Sequence, residues 1–459
     1  MSNFRNYLTP GRKGHLVGIG GVSMAPLAEV LFSMGLTITG SDISESEKVQ
    51  HLKGLGIRIY QGHHKENIES DTEFVVRTAA VHDDNPEIME AIRRGIPVFE
   101  RAEGWGAIMQ DYENSICIAG THGKTTTTSM CTHILMAAEK DPTVMIGGTL
   151  PLLDSSGYRV GKNEAIVLES CEYYNSFLNF YPTIAVITNV EEDHLDFFKD
   201  LDDIKASFRK FAMLVPKETG YVVYNIDDAN TCEVVDGIER HLFSYGMSDN
   251  ADVYPANIRR IGASTKFDIM FRGKTFTSVT LHVPGDHNVA NALAATAASI
   301  CLGIKPTAVS YGLAGFNGAG RRFEFKGKFN GADIYDDYAH HPSELKALLD
   351  AVEPLGYKRI IVVFQPHTYT RTEALFDEFM EQLKRPDVTY LAEIYAAREK
   401  NTKGITSGMF AEKLDNATYF SNNGDIVRNL RAVAQPGDII LAVGAGDVFR
   451  IGEELLAQK

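Results

Sequence analysis

The residues with the clearest chemistry form a glycine-rich turn, GTHGKT, at positions 120–125. Four apolar or small residues precede it and a hydroxyl-rich stretch follows, which predicts a strand, a loop and a helix start. Backbone N–H groups in such a loop bind phosphates, with Lys124 meeting the β- and γ-phosphates and Thr125 a Mg²⁺ ion. The strict motif has a glycine where Ile118 stands, so a structural turn capped by threonines is the alternative.

A second glycine turn, GIGG at 18–21, follows a short apolar run and precedes apolar residues at helical spacing over 23–34. A further apolar strand then leads to Ser41 and Asp42. This β-α-β pattern, with an acidic residue roughly twenty positions after the turn, is typical of dinucleotide binding. Because Ser23 replaces the third glycine, a nicotinamide cofactor, a nucleotide-sugar diphosphate and a purely structural turn all remain open.

Polar side chains follow two apolar strands in the middle of the chain. Residues 165–169 end at Glu169, and residues 184–189 precede the cluster EEDHLD, which contains His194. The carboxyl ends of parallel strands meet in one crevice, so these groups would face the phosphates held by Lys124. Oxygen ligands suit Mg²⁺, and histidine is a less usual ligand. The alternative for the acidic cluster is a solvated helix start.

Three further segments suggest ligand contacts. Asn288 and Asn291 open an alanine-rich helix and could pair with an adenine edge, N-capping being the alternative. A glycine hinge precedes paired arginines ending at Arg322, which suit phosphate charge. Two predicted strands lead into polar loops that contain His340 and Arg371. These loops belong to the last third of the chain.

Composition narrows the function classes. At 459 residues with 44% hydrophobic content, the chain predicts about three globular domains. Its net charge of −15, without dense basic runs, argues against nucleic acid and anionic membranes as partners. Five scattered cysteines without CxxC spacing indicate neither disulfides nor zinc. We find neither a signal peptide nor a run of roughly 18 apolar residues, so we expect a soluble cytoplasmic protein.

The alternation of apolar strands and helical segments predicts an α/β fold with parallel sheets flanked by helices. Strand-like alternation from residue 242 to residue 283 predicts a small antiparallel excursion.

Seven motifs, in this order, resemble those of the Mur ligases of peptidoglycan synthesis: GIGGVSM, GTHGKTTTT, TNVEEDHLD, HNVANALAA, GAGRRFE, DDYAHHPSE and FQPHTYTRT. The resemblance runs from about Gly18 to Gly446. It implies an ATP-dependent amide ligase that joins L-alanine to the carboxylate of UDP-N-acetylmuramate through an acyl phosphate. In this family GTxGKT is the complete phosphate loop, and the first glycine turn holds a UDP-sugar. A recycling ligase that adds a tripeptide is the nearest alternative; a nicotinamide dehydrogenase and a regulatory ATPase are more distant ones.

The resemblance also implies three α/β domains: a Rossmann-like UDP-sugar domain (1–112), a central P-loop-type ATP domain (113–320) and a Rossmann-like amino-acid domain (321–459). It implies ATP and Mg²⁺, or Mn²⁺, as cofactors. The expected partners are UDP-N-acetylmuramate, ATP and L-alanine, with the chain as a monomer or weak homodimer.

The same resemblance assigns individual roles. The catalytic set is Lys124, Glu169, His194, Arg322 and His340. The ATP-binding set is Gly120, Thr121, His122, Gly123, Lys124, Thr125, Thr126, Asn288, Asn291, Arg322 and Asp337. The metal ligands are Thr125, Glu169 and His194. The UDP-sugar set is Gly20, Gly21, Met24, Ser41, Asp42 and Arg101, and the amino-acid set is Tyr338, His340 and Arg371.

Two departures from the family pattern qualify these roles. Thr368 stands where many relatives have arginine, so the amino-acid carboxylate would depend more on Arg371. The segment after Glu169 is less acidic than usual, which leaves Glu172 outside the expected metal ligands. The base that deprotonates the amine is either His340 or solvent.

Overall fold

The computed structural model describes residues 3–78, 81–162, 164–397, 399–402 and 404–457. Three β-sheets follow one another along the chain, and helices flank each of them. We refer to the N-terminal unit (the first sheet and its helices), the central unit and the C-terminal unit. The expected α/β architecture is confirmed, whereas the domain limits 1–112, 113–320 and 321–459 stay predictions.

The N-terminal unit has a five-stranded parallel sheet in the order β3-β2-β1-β4-β5. Its strands are β1 (Lys13–Val17), β2 (Thr37–Asp42), β3 (Arg58–Gln61), β4 (Phe74–Arg77) and β5 (Val98–Glu100). Its helices are α1 (Met24–Ser33), α2 (Glu47–Gly54), α3 (Pro86–Arg93) and α4 (Arg101–Met109). The strand order reverses beside β1, and in such sheets the ligand crevice lies at the carboxyl ends of the strands around that point.

The central unit has a ten-stranded sheet in the order β15-β14-β13-β12-β11-β10-β6-β9-β7-β8. Its strands are β6 (Asn114–Ala119), β7 (Thr143–Leu150), β8 (Ser156–Arg159), β9 (Ala165–Glu169), β10 (Ile184–Ile187), β11 (Tyr221–Asn225), β12 (His241–Tyr245), β13 (Val253–Ile261), β14 (Ser264–Phe271) and β15 (Lys274–Leu281). Its helices are α5 (Lys124–Ala137), α6 (Leu201–Ala212), α7 (Ala229–Val235), α8 (Asp286–Cys301) and α9 (Pro306–Ala314).

The predicted start of the antiparallel excursion at residue 242 is wrong. Strand β12 runs parallel to β11, and the antiparallel part consists of β13, β14 and β15. Alternation of apolar residues marks a half-buried strand in either direction, so it does not reveal the neighbour's orientation.

The C-terminal unit has a six-stranded sheet in the order β16-β17-β21-β18-β19-β20, parallel except at the edge strand β16. Its strands are β16 (Glu324–Phe329), β17 (Ala332–Asp337), β18 (Arg359–Phe364), β19 (Val388–Leu391), β20 (Ala417–Tyr419) and β21 (Asp438–Val443). Its helices are α10 (Pro342–Val352), α11 (Tyr369–Ala374), α12 (Phe376–Leu383), α13 (Gly408–Ala411), α14 (Asn423–Val433) and α15 (Phe449–Leu456). Within the described ranges, every helix is too short or too polar to cross a membrane.

The N-terminal and central units share one apolar core. It contains Trp105 of α4 together with Phe177 and Phe208 of the central unit, all fully buried. Gly106 lies at this contact, where a Cβ atom would overlap the carbonyl oxygen of Asn179. The joint therefore depends on a glycine in α4 that lets two backbones approach closely.

We expect Gly106→Ala to destabilise the protein by about 1–3 kcal/mol, because the new methyl group has no space without moving backbone. Gly54→Ala, at the end of α2, is the matched control, since its Cβ would meet nothing within 4 Å. That change should be neutral or stabilising by up to about 1 kcal/mol. Thermal unfolding of both variants measures the difference, and equal melting temperatures would contradict the tight contact.

Candidate active site

The GTHGKT turn connects β6, in the interior of the central sheet, to the start of α5. Gly120 (φ +143°) and Gly123 (φ +82°) adopt backbone conformations that favour glycine. A Cβ on Gly120 would overlap the Thr188 hydroxyl, and one on Gly123 would lie 2.5 Å from Asn291 Oδ1. Because α5 begins at Lys124, its positive N-terminal end faces this loop. The local structure is that of an anion site.

Lys124 is held by oxygen atoms. Its Nζ donates to the carbonyl oxygens of Gly120 and, at 3.1 Å, Thr121, and it lies 3.1 Å from Glu172 Oε2. Burial disfavours the ammonium ion, but the charges of Glu172, Cys171 and Glu169 raise the pKa of Lys124 well above its ordinary value. Lys124 is therefore a charged group in a site where Glu172, itself buried, balances it.

Thr125 and Glu169 supply adjacent oxygen atoms beside the loop. Thr125 Oγ1 donates to Glu169 Oε1 at 3.1 Å, and Glu169 Oε2 accepts from the Gly147 N–H at 2.6 Å. Hydroxyl and carboxylate oxygens fit a hard divalent cation. The third predicted ligand, His194, lies near the partner of Lys124: its Nε2 is 3.8 Å from Glu172, and its ring stacks on Tyr173 with centroids 4.3 Å apart.

A second group of potential ligands, His122, Glu191 and His341, has its ligand atoms within 4.8 Å of one another. His122 Nδ1 lies 3.2 Å from Glu344 and its Nε2 3.5 Å from Glu191. Burial opposes protonation, but Glu344 and Glu191 outweigh it and raise the pKa of His122 to about 9. Because both ring nitrogens of His122 face carboxylates, we interpret this group as an ion-pair bridge between the central and C-terminal units.

The predicted nucleotide residues converge on a cavity of about 290 Å³. Those that line it are His122, Gly123, Thr126, Asn288, Asn291, Arg322 and Asp337. The N-cap of α8 is Gly285, so Asn288 and Asn291 are not capping residues. Asp337 accepts from the backbone N–H groups of Phe323 (2.7 Å) and Ala339 (2.8 Å), while burial raises its pKa.

Arg322 spans two units. It lies just before β16, yet its Nη2 is 3.5 Å from Thr125 Oγ1 and its Nη1 is 3.7 Å from Glu344. The guanidinium also lies over the Tyr338 ring, 5.1 Å from its centroid. Arg322 therefore brings a second cation to the phosphate loop.

The predicted UDP-sugar residues surround the carboxyl ends of β1 and β2. The Gly20 N–H donates to Asp42 Oδ2 at 2.9 Å, and Arg101 donates to the Ser23 hydroxyl. Ser41 is buried and donates to Glu87 at 2.6 Å. Gly21 accompanies Gly20 in the turn, and the Met24 side chain is fully buried in the core at the start of α1. The UDP-sugar role of these residues stays a prediction.

The predicted amino-acid residues lie where the central and C-terminal units meet. His340 Nδ1 is 2.9 Å from the carbonyl oxygen of Tyr338, and burial lowers the pKa of His340 to about 3. A ring with this pKa is neutral at ordinary pH. Arg371 Nη2 lies 2.6 Å from Asp193, and this guanidinium keeps the pKa of Asp193 far below its usual value despite burial.

The comparisons with known proteins agree with this geometry. The models "Mur ligase family, catalytic domain", "Mur ligase middle domain" and "Mur ligase, glutamate ligase domain" match residues 13–113, 118–299 and 321–446. The chain belongs to the Mur ligase family.

Two curated relatives are both UDP-N-acetylmuramate--L-alanine ligases. The enzyme of Clostridium novyi (strain NT) is 44% identical over 98% of each chain. The enzyme of Agathobacter rectalis is 46% identical over 96% of this chain and 97% of the relative. A crystal structure of UDP-N-acetylmuramate-alanine ligase MurC from Thermotoga maritima is also similar. It has a TM-score of 0.81 and 30% identity, covering 97% of this chain and 98% of that one.

Two acidic residues that organise this Mur ligase site, Glu87 and Glu172, were not among the predicted site residues. Glu191 and Asp193 belong to the cluster EEDHLD, which the sequence predicts to face the phosphates, and Glu344 lies in the motif DDYAHHPSE. The ion-pair partners of these three residues were not predicted. The partners of Glu172 and Glu87 are distant along the chain, so no local pattern identifies them.

The His122 bridge predicts a pH dependence. A histidine whose pKa is raised from about 6.5 to about 9 adds stability below pH 6.5 and loses it as the pH rises through 9. We expect the wild type to exceed His122→Gln in unfolding free energy by roughly 2 kcal/mol at pH 6.5 and by almost nothing at pH 9.5. Thermal unfolding across this range tests it, and a constant difference would contradict the charged bridge.

Proposed function

We propose that the chain is an ATP-dependent ligase that joins L-alanine to the carboxylate of UDP-N-acetylmuramate, in the synthesis of peptidoglycan precursors. One observation carries the proposal: all three units line a single cleft of about 1170 Å³. Glu29 and Lys48 come from the N-terminal unit, Thr125 from the phosphate loop, and Arg322 and Tyr338 from the C-terminal side. A sugar-linked carboxylate bound in the first unit would thus meet nucleotide phosphates held by the second.

The chemistry explains why a nucleotide is needed. A carboxylate is a poor acyl donor because oxide would be its leaving group. Transfer of the ATP γ-phosphoryl group to the muramic acid carboxylate gives an acyl phosphate and ADP. The neutral amine of L-alanine then attacks the acyl carbon, and phosphate leaves.

Both the phosphoryl transfer and the attack of the amine concentrate negative charge, and the cationic side chains of this cleft suit both steps. Lys124 and Arg322 approach the phosphate loop from two units and would offset that charge in a partly enclosed cleft. Thr125 and Glu169 would hold Mg²⁺ or Mn²⁺, with His194 as the third predicted ligand. Such an ion, when bound, neutralises phosphate charge during phosphoryl transfer.

Contacts between the central and C-terminal units would protect the intermediate. Ser343 Oγ donates to Glu191 at 2.6 Å, and the His122–Glu344 and Arg371–Asp193 pairs lie at the same joint. Closure of this joint would exclude water from the acyl phosphate. A cytoplasmic location, where ATP and nucleotide-sugars occur, and a monomer or weak homodimer are further parts of the proposal.

The direct test follows ADP release with UDP-N-acetylmuramate, ATP and Mg²⁺, with either L-alanine or the tripeptide L-alanyl-γ-D-glutamyl-meso-diaminopimelate as acceptor. We expect release that requires L-alanine. Release only with the tripeptide would indicate a recycling ligase, and release without any acceptor would indicate a bare ATPase. Either result would contradict the proposal.

We expect Lys124→Ala to lower turnover by at least about 100-fold, because the main cation at the transferring phosphoryl group is lost. Binding of UDP-N-acetylmuramate, measured by calorimetry, should change less than about threefold, since its predicted residues lie in another unit. Loss of both properties would mean that the two sites are misassigned.

A further inference from the structure

Two histidines and a glutamate meet at the joint between the central and C-terminal units. Glu191 Oε2 lies 3.5 Å from His122 Nε2 and 3.7 Å from His341 Nδ1. The two imidazole rings have centroids 4.7 Å apart. His122 belongs to the phosphate loop, whereas His341 is the N-cap of α10. Two units thus bring three side chains that can bind a metal around one point.

The distances in this group suit a metal ion better than hydrogen bonds. A hydrogen bond between nitrogen and oxygen is roughly 2.7–3.2 Å long, which is shorter than both separations from Glu191. In a tetrahedral site, bonds of about 2.0–2.2 Å place two ligand atoms roughly 3.3 Å apart. The ligand atoms of the three side chains lie within 4.8 Å of one another. Small side-chain rotations would therefore bring them onto one ion.

The ring nitrogens of this group also lack hydrogen bonds. Over the described ranges, both nitrogens of His122 and the Nε2 of His341 are buried and form none. His341 as a whole is only 5% exposed. Buried polar atoms are nearly always bonded, and exceptions point to a bound ion or water molecule. This observation is independent of the distances from Glu191 and indicates a ligand at the same place.

We propose that His122, Glu191 and His341 form a site for a transition metal ion such as Zn²⁺, which ties the central unit to the C-terminal unit. Imidazole nitrogens select zinc and related metals, whereas Mg²⁺ prefers oxygen. The site is therefore distinct from the predicted Mg²⁺ site beside Thr125. Three protein ligands leave the fourth tetrahedral position to a water molecule.

A carboxylate outside the three ligands fits this role. Glu344 Oε1 lies 3.2 Å from His122 Nδ1, which leaves the Nε2 of that ring for the ion. Histidines that bind metals commonly place their other ring nitrogen against a carboxylate, which fixes the orientation of the ring. Burial lowers the pKa of His341, so that ring is a neutral ligand. Without a metal, the proton on His122 takes the place of the ion in the ion-pair bridge.

A metal ion at this site would oppose turnover. His122 and Glu191 line the nucleotide cavity of about 290 Å³. An ion held by them and by His341 fixes the two units together beside that cavity. Nucleotide exchange requires the units to separate, so we expect Zn²⁺ to act as an inhibitor. This consequence rests on the proposed function, whereas the metal site itself does not.

The first experiment titrates the protein with Co²⁺, a spectroscopic probe of zinc sites, in excess Mg²⁺ that fills the oxygen-ligand site. We expect the visible absorption of a four-coordinate Co²⁺ ion, and its loss when Zn²⁺ is added. His341→Asn should weaken binding at least about 100-fold, because a ligand is lost. Asparagine keeps the N-cap of α10, so this variant should fold. His282→Asn, at an exposed histidine, is the control and should bind Co²⁺ like the wild type.

A second ligand variant keeps this test decisive if His341→Asn does not fold. Glu191→Gln removes the charged ligand and retains an oxygen that can accept from Ser343 Oγ, which now donates to Glu191 at 2.6 Å. It should lose the Co²⁺ absorption as well. A wild-type protein without this absorption, or ligand variants that retain it, would overturn the proposal and leave the ion-pair bridge as the role of the group.

The second experiment measures hydrogen exchange with and without Zn²⁺, again in excess Mg²⁺. An ion that ties the units together should slow exchange at least about fivefold on both sides of the joint, at residues 189–196 and in α10. His341→Asn should show no such change. Slower exchange on one side only would overturn the link between the two units.

The third experiment follows ADP release with UDP-N-acetylmuramate, ATP, Mg²⁺ and L-alanine, with free Zn²⁺ set by a metal buffer because ATP also binds zinc. At ten times the zinc Kd, we expect the wild-type rate to fall at least about fivefold. His341→Asn should keep its own zinc-free rate. An unchanged wild-type rate would overturn the inhibitory role.

Failure of the metal site and failure of the proposed function are distinguishable, because the Co²⁺ and hydrogen-exchange experiments use no substrate. A chain that requires L-alanine for ADP release but binds no Co²⁺ at this group overturns the metal site only. A chain that binds Co²⁺ there but releases ADP without regard to L-alanine overturns the proposed function only.

Discussion

The pairing of Lys124 with Glu172 is the interaction on which the rest of the site depends. A lysine at the start of α5 must be buried if it is to meet phosphates in a water-poor cleft, and a buried ammonium needs a nearby negative charge. Glu172 supplies that charge and lies beside His194, which connects the phosphate loop to residues 192–196. The position of one cation thus fixes where the neighbouring acidic loops must lie.

The joint between the central and C-terminal units follows the same logic. Its ionic contacts join the central unit to helices of the C-terminal unit, as in His122 with Glu344 of α10 and Asp193 with Arg371 of α11. Some residues at or near this joint have backbone in the left-handed region: His194, Arg321, Phe323 and Thr368 have positive φ. Such conformations are costly for residues other than glycine and occur where surrounding contacts impose them.

The parts of this arrangement that are local in sequence were predictable. A strand followed by GTHGKT and a hydroxyl-rich helix start specifies the phosphate loop, and the α/β rhythm specifies parallel sheets covered by helices. The direction of β12 was not predictable, because a half-buried strand has the same pattern in either direction. The role of Asn288 was not predictable either, because an asparagine near a helix start suits both N-capping and ligand contact. The structure excludes N-capping, since Gly285 is the N-cap of α8.

The pairings of distant residues were beyond sequence reasoning. Glu172 is 48 positions from Lys124, and Asp193 is 178 positions from Arg371. No propensity or periodicity connects such pairs, since they arise from how the units approach one another.

The most direct test of the account is the fate of the substrate's carboxylate oxygen atoms. UDP-N-acetylmuramate labelled with ¹⁸O in both carboxylate oxygens is converted with ATP and L-alanine, and the released phosphate is analysed by mass spectrometry. Acyl phosphate formation predicts one ¹⁸O atom in each phosphate and one in the product amide. Phosphate without label, or label in AMP, would contradict phosphoryl transfer to the carboxylate at this site.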